Sequence, residues 1–213
     1  MKKLIAGADE AGRGCLIGPL VIAISSIEKL KEFEIQRLGA RDSKTLSPAA
    51  RERLYEQLKQ ICRFEIIRIT AQELNSLMGK YSLNEIEAMK IAEAVKGKEF
   101  SILYVDSPDS QEERFEQRIL SRGVKNIKIV SSHRADSKYP IVSSASIAAK
   151  VERDAEIERI KKELGYDFNS GYTSDPITME YVKENIHSKE LRKYLRTRWE
   201  TFKRLIQSKL DDY

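Results

Sequence analysis

The chain has 213 residues, of which 41% are hydrophobic and 33% charged. This balance is typical of a globular protein with one main core, and the apolar runs are too short to span a membrane. Two lysines precede an apolar stretch at the N-terminus, but Asp9 interrupts that stretch before a signal sequence could form. We therefore expect a cytoplasmic monomer that makes no contact with membranes.

Cysteine is scarce, since Cys15 and Cys62 are the only two in the chain. This excludes a disulfide framework, and no paired Cys/His spacing suits zinc. The net charge of +5 is uneven: Lys189 to Lys209 contains eight basic and two acidic residues, hence +6, which leaves −1 for the rest. The segment is either a phosphate-binding flank or the solvated face of a helix.

The first half of the chain alternates predicted strands and helices. An apolar run predicts a central strand, a second strand follows a group of glycines, and Ser47 with Pro48 predicts the start of a helix. The elements expected here are strands at Leu4 to Ala8, Leu16 to Ser26 and Phe64 to Ile69, and helices at Pro48 to Gln60 and Leu83 to Val95.

The second half supplies two further strands. They are predicted at Phe100 to Val105 and Asn126 to Val130, with one helix beginning at Ser107-Pro108 and a long one over Pro140 to Leu164. The pattern predicts an α/β fold with a mixed five-stranded sheet, helices on both faces and a helical C-terminal appendage. The expected domains are residues 1–165 for the sheet, 166–206 for a basic helical segment and 207–213 for a tail.

Four acidic residues stand at or just beyond predicted strand ends: Asp9, Glu10, Asp106 and Asp136. Loops from neighbouring strands meet at such an edge, and a carboxylate there must be hydrated, paired or bound to metal. Salt bridges or helix caps could satisfy them. If they converge, oxygen-only ligands favour Mg²⁺ or Mn²⁺, and two such ions hydrolyse phosphodiesters.

Several blocks of sequence, in the same order, resemble ribonuclease HII in its archaeal form. They are Asp9-Glu10-Ala11-Gly12-Arg13-Gly14 with Gly18-Pro19-Leu20, Asp42-Ser43-Lys44, Tyr104-Val105-Asp106-Ser107, His133-Arg134-Ala135-Asp136, Ala145 to Asp154, and Gly171-Tyr172. The resemblance implies a ribonuclease H-like fold and endonucleolytic cleavage of the RNA strand of RNA/DNA hybrids. It also implies incision 5′ of single ribonucleotides in duplex DNA, with two metal ions and with 3′-hydroxyl and 5′-phosphate products.

The same resemblance assigns roles to particular residues. Asp9, Glu10, Asp106 and Asp136 match the metal-binding catalytic acids. Gly12, Arg13 and Gly14 match the element whose backbone approaches the ribose 2′-hydroxyl, although a plain turn would also explain the glycines. Tyr172 matches a tyrosine that stacks on the deoxyribose after the ribonucleotide, and ordinary packing is the alternative.

Three further polar residues are candidate phosphate contacts: Lys44, Ser146 and Lys150. Ser146 and Lys150 are four residues apart and so share one face of a helix. His133 lies beside Asp136, but a hydrogen-bonding role suits a loop histidine better than magnesium ligation. Cys15 lies next to the glycine element, and nothing nearby indicates a nucleophile.

The C-terminal tail follows the pattern Gln-x-x-Leu-x-x-aromatic through Gln207, Leu210 and Tyr213. It resembles peptides that dock on archaeal and eukaryotic sliding clamps, where apolar residues fill a pocket and the glutamine binds its rim. Such motifs usually carry two aromatic residues, and this one has a single aromatic. A tail packed on its own domain is the alternative.

Two other functions compete with the ribonuclease hypothesis. A related two-metal nuclease or recombinase would cut other junctions, including all-DNA duplexes. A nucleic-acid-binding module would use the same acids to bind structural calcium, and Asp106→Asn would then leave its function intact. Under the ribonuclease hypothesis, that change abolishes cleavage while the basic flank still binds the duplex.

Overall fold

The computed structural model describes residues 3–40 and 46–211, with side chains up to 207. Five strands form one sheet: β1 (Leu4–Ala11), β2 (Leu20–Glu28), β3 (Arg63–Ile69), β4 (Phe100–Asp106) and β5 (Lys128–Ser132). Their order is β3-β2-β1-β4-β5, and β4 pairs in parallel with β1 on one side and with β5 on the other. The predicted five-stranded mixed sheet with flanking helices is confirmed.

Ten α-helices accompany the sheet within the described residues. They are α1 (Glu32–Arg37), α2 (Pro48–Leu58), α3 (Ala71–Leu77), α4 (Leu83–Val95), α5 (Glu112–Leu120), α6 (Ala135–Lys138), α7 (Pro140–Leu164), α8 (Pro176–Glu184), α9 (Lys189–Arg192) and α10 (Glu200–Asp211). Side-chain caps explain several starts, because Ser47 accepts from Ala50 N and Ser82 forms a capping box with Glu85. None of the described helices is long and apolar enough to cross a membrane.

Some predicted boundaries were wrong. β2 begins at Leu20 rather than Leu16, since the backbone of Leu16 and of Ile17 instead donates to Gly171 O. Helix α5 begins at Glu112 rather than after Ser107, because Ser107 N continues the ladder to Ser132 O. β5 lies two residues later than expected, and Asp136 belongs to the short helix α6 rather than to a loop.

The described part of the chain forms two compact units. The sheet unit contains the described residues of Met1–Ala11, Ile22–Ile67 and Ser82–Val151. Its core includes Ile5, Ala23, Leu58 and Ile141. Helix α7 passes so close to β1 that a Cβ on Gly7 would stand 2.6 Å from the backbone of Ile141. Glycine therefore permits the contact between β1 and α7.

The helical unit contains Gly12–Val21, Arg68–Tyr81 and the described residues of Glu152–Tyr213. Leu16, Ile157, Phe168 and Leu195 lie in its core. Isolated antiparallel bridges join Cys15 to Tyr172 and Ile17 to Leu195. This division differs from a single cut after residue 165, because early segments of the chain are built into the helical unit. The three functional domains expected from the sequence stay a prediction.

Candidate active site

Asp9 lies within β1 and Asp106 at the end of β4, its parallel neighbour. Ala8 pairs with Val105, so the two aspartates follow at the same level of the sheet. Asp9 is 8% exposed, and burial raises its pKa well above the usual range, with Glu10 and then Asp106 adding to the rise by repulsion. Negative charge is therefore concentrated at this sheet edge.

Glu10 follows Asp9 without a break in the strand. Strand β1 continues through both acids to Ala11. Glu10 is half-buried, and its backbone N–H donates to Asp9 Oδ1 over 2.8 Å. The Glu10 carboxylate still lies near enough to raise the pKa of Asp9.

Asp136 reaches the same edge through the turn after β5. Arg134 adopts a left-handed conformation with φ of 53°, unusual for a residue with a side chain. The turn directs Ala135 N at Asp106 Oδ1, 2.6 Å away. Asp136 follows directly and is 7% exposed. One hydrogen bond thus ties the first turn of α6, which carries Asp136, to Asp106.

Ser146 and Lys150 form a chain of contacts to Asp9. Lys150 Nζ donates to Ser146 Oγ over 2.9 Å, and the Ser146 hydroxyl donates to the Asp9 carboxylate. Ser146 is only 1% exposed, whereas Lys150 is half-buried. In this conformation Ser146 orients Asp9, and the role of both residues as phosphate contacts stays a prediction.

Sequence analysis missed the groups that hold the β5–α6 turn. Glu112 Oε1 accepts from His133 N over 2.6 Å and from Ser132 Oγ over 3.3 Å. His133 Nε2 is 2.7 Å from Asp109 O, which agrees with a hydrogen-bonding histidine. Asp109 is itself fixed by Arg118 Nε at 2.8 Å and Asn84 Nδ2 at 2.7 Å. These contacts join segments far apart in sequence, so no local pattern announced them.

The acidic residues fit a divalent cation in charge and in donor type. All four supply carboxylate oxygens, and a cation would offset the burial, and the repulsion from Glu10 and Asp106, that raise the pKa of Asp9. Within residues 3–40 and 46–211, however, no three acidic, His or Cys side chains already converge closely enough to hold an ion. The acids therefore share a sheet edge without forming a closed ligand cage.

The glycine element and Tyr172 lie in the helical unit. Gly12 has φ of +84°, and a Cβ there would stand 2.6 Å from Pro19 O, so only glycine fits. Gly14 is exposed, Arg13 is half-buried, and the Tyr172 ring lies 3.8 Å from the position of a Gly14 Cβ. Tyr172 also hydrogen-bonds with the Cys15 thiol and the Gly12 backbone. Cys15 is fully buried here.

Some predicted residues lie outside, or near the end of, the part of the chain that the structure describes. Lys44 and Tyr213 fall outside the described residues, as does the Leu210 side chain, although α10 includes the Leu210 backbone. Gln207 is exposed. In the basic segment, Arg196 is completely buried and so contributes no surface charge.

A five-stranded sheet with acids at the edge formed by β1, β4 and β5 defines a ribonuclease H-like fold. Comparison with known proteins specifies the family. The family model for ribonuclease HII matches residues 6–202. The ribonuclease HII of Archaeoglobus fulgidus is 44% identical over 208 residues, covering 98% of this chain and 99% of the relative.

Solved structures agree. The PCNA:RNase HII complex from Archaeoglobus fulgidus matches with a TM-score of 0.85 and 43% identity, over 92% of this chain and 95% of that chain. The ribonuclease H2 of Pyrococcus horikoshii matches with a TM-score of 0.85 and 37% identity, over 96% and 98%. The chain belongs to the ribonuclease HII family of hydrolytic nucleases, which cleave the RNA strand of RNA/DNA hybrids.

Proposed function

We propose that this enzyme also incises duplex DNA on the 5′ side of single embedded ribonucleotides and leaves 3′-hydroxyl and 5′-phosphate ends. In this proposal Asp9, Glu10, Asp106 and Asp136 hold two Mg²⁺ or Mn²⁺ ions. The observation that supports the metal site is the position of Asp9, a buried acid on a central strand beside Glu10 and level with Asp106, where a divalent cation would neutralise the clustered carboxylates.

Different neighbouring residues orient these acids. Ser146 donates to Asp9, and Lys150 supports Ser146 from one helical turn further along α7. Ala135 N orients Asp106, and Glu112 holds the turn that leads to Asp136. A pair of divalent cations, when bound, supplies a polarised water and neutralises charge on the leaving oxygen. The protein's own task is to fix the carboxylates where substrate phosphate arrives.

Recognition of the ribonucleotide falls to the helical unit. Backbone groups of Gly12, Arg13 and Gly14 bind the ribose 2′-hydroxyl, and the ring of Tyr172 stacks on the deoxyribose that follows. Support comes from Gly14, which is exposed and carries no side chain, while Gly12 holds the turn in a conformation that only glycine fits. A 2′-hydroxyl is what distinguishes RNA from DNA at a single position.

The test uses an end-labelled duplex that contains one ribonucleotide, incubated with Mg²⁺ or Mn²⁺. We expect a nick on its 5′ side and no cutting of the all-DNA duplex. Asp106→Asn should remove cleavage but keep duplex binding, whereas Glu113→Gln, an exposed acid on α5, should behave like the wild type. Lack of a nick with either metal would overturn the proposal, and equal cutting of all-DNA duplex would favour a broader junction nuclease.

We also propose that the tail binds a sliding clamp through Gln207, Leu210 and Tyr213. The complex of PCNA with the Archaeoglobus fulgidus relative supports this. Gln207 lies on α10 and its side chain is exposed. Mixing the full chain with the clamp of its own organism should give a complex on gel filtration. Leu210→Ala with Tyr213→Ala should abolish the complex and leave nicking unchanged, while Lys203→Ala serves as the control. A complex that survives the double change would refute this interface.

A further inference from the structure

A buried arginine contacts both parts of the proposed ribonucleotide-recognition element, which are the loop after Gly12-Arg13-Gly14 and the residue Tyr172. Arg153 lies on α7, in the half that belongs to the helical unit, and is only 5% exposed. It follows Lys150 by three residues, but it contacts neither the acids of the sheet edge nor the surface basic segment in the contacts described. Burying a guanidinium is costly unless its surroundings satisfy it.

The contacts of Arg153 run in three directions. Its Nη2 donates to Cys15 Sγ over 2.9 Å and to Ser170 O, and its Nη1 lies 3.1 Å from Asp154 Oδ1. Its Cζ lies 4.7 Å above the centroid of the Tyr172 ring. One planar group thus binds the loop after the glycine element, the loop before Tyr172 and the tyrosine ring itself.

The neighbouring glycines pack against the same side chain. A Cβ on Gly12 would stand 3.4 Å from Arg153 Cγ, and one on Gly171 would stand 3.4 Å from Nη2. Tyr172 closes the arrangement by hydrogen bonds with Cys15 and with the Gly12 backbone. Moving the guanidinium would therefore release the ring of Tyr172 and the Gly12–Cys15 loop together.

We propose that Arg153 is a positioning residue that sets the preference for a ribonucleotide followed by a deoxyribonucleotide, although it touches no substrate. This rests on the proposed function. Lysine in its place keeps the charge, but it lacks the planar face that lies over the Tyr172 ring and the second nitrogen that meets Asp154. The Tyr172 ring then loses its fixed plane, and its stacking on the deoxyribose weakens. Cleavage at an RNA-to-DNA junction should therefore slow more than cleavage within a continuous RNA strand.

The experiment compares single-turnover cleavage of a duplex with one ribonucleotide and of an RNA/DNA hybrid of the same sequence. Arg153→Lys should lower the ratio of the single-ribonucleotide rate to the hybrid rate at least about tenfold, as expected when hydrogen bonds to a charged group are lost. Cys15→Ala should lower the ratio about threefold in the same direction, since it removes only one of the contacts of Arg153 and a thiol sulfur is a weak acceptor. The control is Arg159→Lys, at a half-exposed position on the same helix that is paired with Glu156 and Glu163.

If Arg153 only stabilised the fold, the single-ribonucleotide rate and the hybrid rate would fall in parallel with the folded fraction. An unchanged ratio of these two rates would therefore overturn the proposal. A second readout needs no activity: in protein labelled with 3-fluorotyrosine, the Tyr172 resonance, assigned by its loss in Tyr172→Phe, should shift and narrow in Arg153→Lys. An unchanged resonance also counts against the proposal. Failure of the wild type to nick would instead overturn the proposed function, and the fluorine spectrum would still decide whether Arg153 holds Tyr172.

Discussion

Arg196 is buried, although the basic segment to which it belongs predicts a side chain at the surface. By sequence it belongs to the basic stretch of Lys189 to Lys209, yet it is the largest of the completely buried side chains in the described residues. Its Nε donates to Gly18 O and its Nη1 to Arg13 O, each over 3.0 Å, and it stacks on Trp199. It organises the glycine element from within.

Arg196→Leu should lower the free energy of unfolding by about 3 kcal/mol, because two carbonyl groups lose a charged donor and leucine restores neither bond. Urea denaturation followed by circular dichroism measures the change. Arg192→Leu removes an exposed arginine nearby and should stay within about 0.5 kcal/mol of the wild type. Equal destabilisation by the two substitutions would contradict the structural role of Arg196.

Cys62 gives a prediction about pH. Burial raises the pKa of its thiol to about 11, against smaller opposing effects of Ser25 and Ser144. Because the thiol is then neutral at pH 8, and only the thiolate reacts, we expect no labelling by a disulfide reagent until the protein unfolds. Reactivity should rise as the pH approaches 11. The measurement uses Cys15→Ala so that Cys62 is the only thiol, and rapid labelling of this folded variant at pH 8 would contradict the prediction.

At the scale of elements, sequence predicted what is locally encoded. Helices α4 and α7 have the predicted bounds, since a capping box marks Ser82 and a proline opens α7. Asp106 ends β4 as expected. The start of α5 was wrong because Ser107 pairs with β5, and α3, capped by Thr70, was missed. The contacts of Arg153 and Glu112 depend on residues brought together only by the fold.

The packing of α7 on β1 leads to a prediction about two elements at once. Gly7→Ala would place a methyl group 2.6 Å from the Ile141 backbone, which has no flexible end to move away. The helix must shift, at a cost of about 1–3 kcal/mol in the free energy of unfolding. Since Ser146 on α7 donates to Asp9, hybrid cleavage should fall as well, even at temperatures where the variant is folded.

Thermal denaturation and the cleavage rate of the folded variant measure these two effects. Gly14→Ala is the stability control, because its methyl group would meet only the Tyr172 ring at 3.8 Å. If Gly7→Ala is as stable as Gly14→Ala, the contact is looser than described. A loss of stability without loss of cleavage would instead separate the helix position from the orientation of Asp9.

At the scale of the whole molecule, surface charge governs how a duplex is held. With Arg196 buried, the exposed positive charge of the basic segment includes Lys189, Arg192 and Lys193. These three line a cleft of the helical unit together with the amide side chains of Gln72 and Asn75. Because clustered cationic side chains suit the phosphates of a nucleic-acid backbone, we predict that this segment is a phosphate-binding flank rather than a merely solvated helix face.

Removing these charges should change the salt dependence of binding. For an uncleavable all-DNA duplex, log affinity falls with log salt, and each lost phosphate contact makes this slope less steep by about 0.9. Lys189→Ala, Arg192→Ala and Lys193→Ala together should therefore make it less steep by about 2 to 3. Fluorescence anisotropy measures this slope over a salt range of about 50 to 300 mM, where counterion release dominates the binding. Substituting the exposed Lys29, Lys59 and Lys128 of the sheet unit removes the same net charge and should leave the slope nearly unchanged. Equal effects of the two triple variants would mean that net charge, rather than this cleft, holds the duplex.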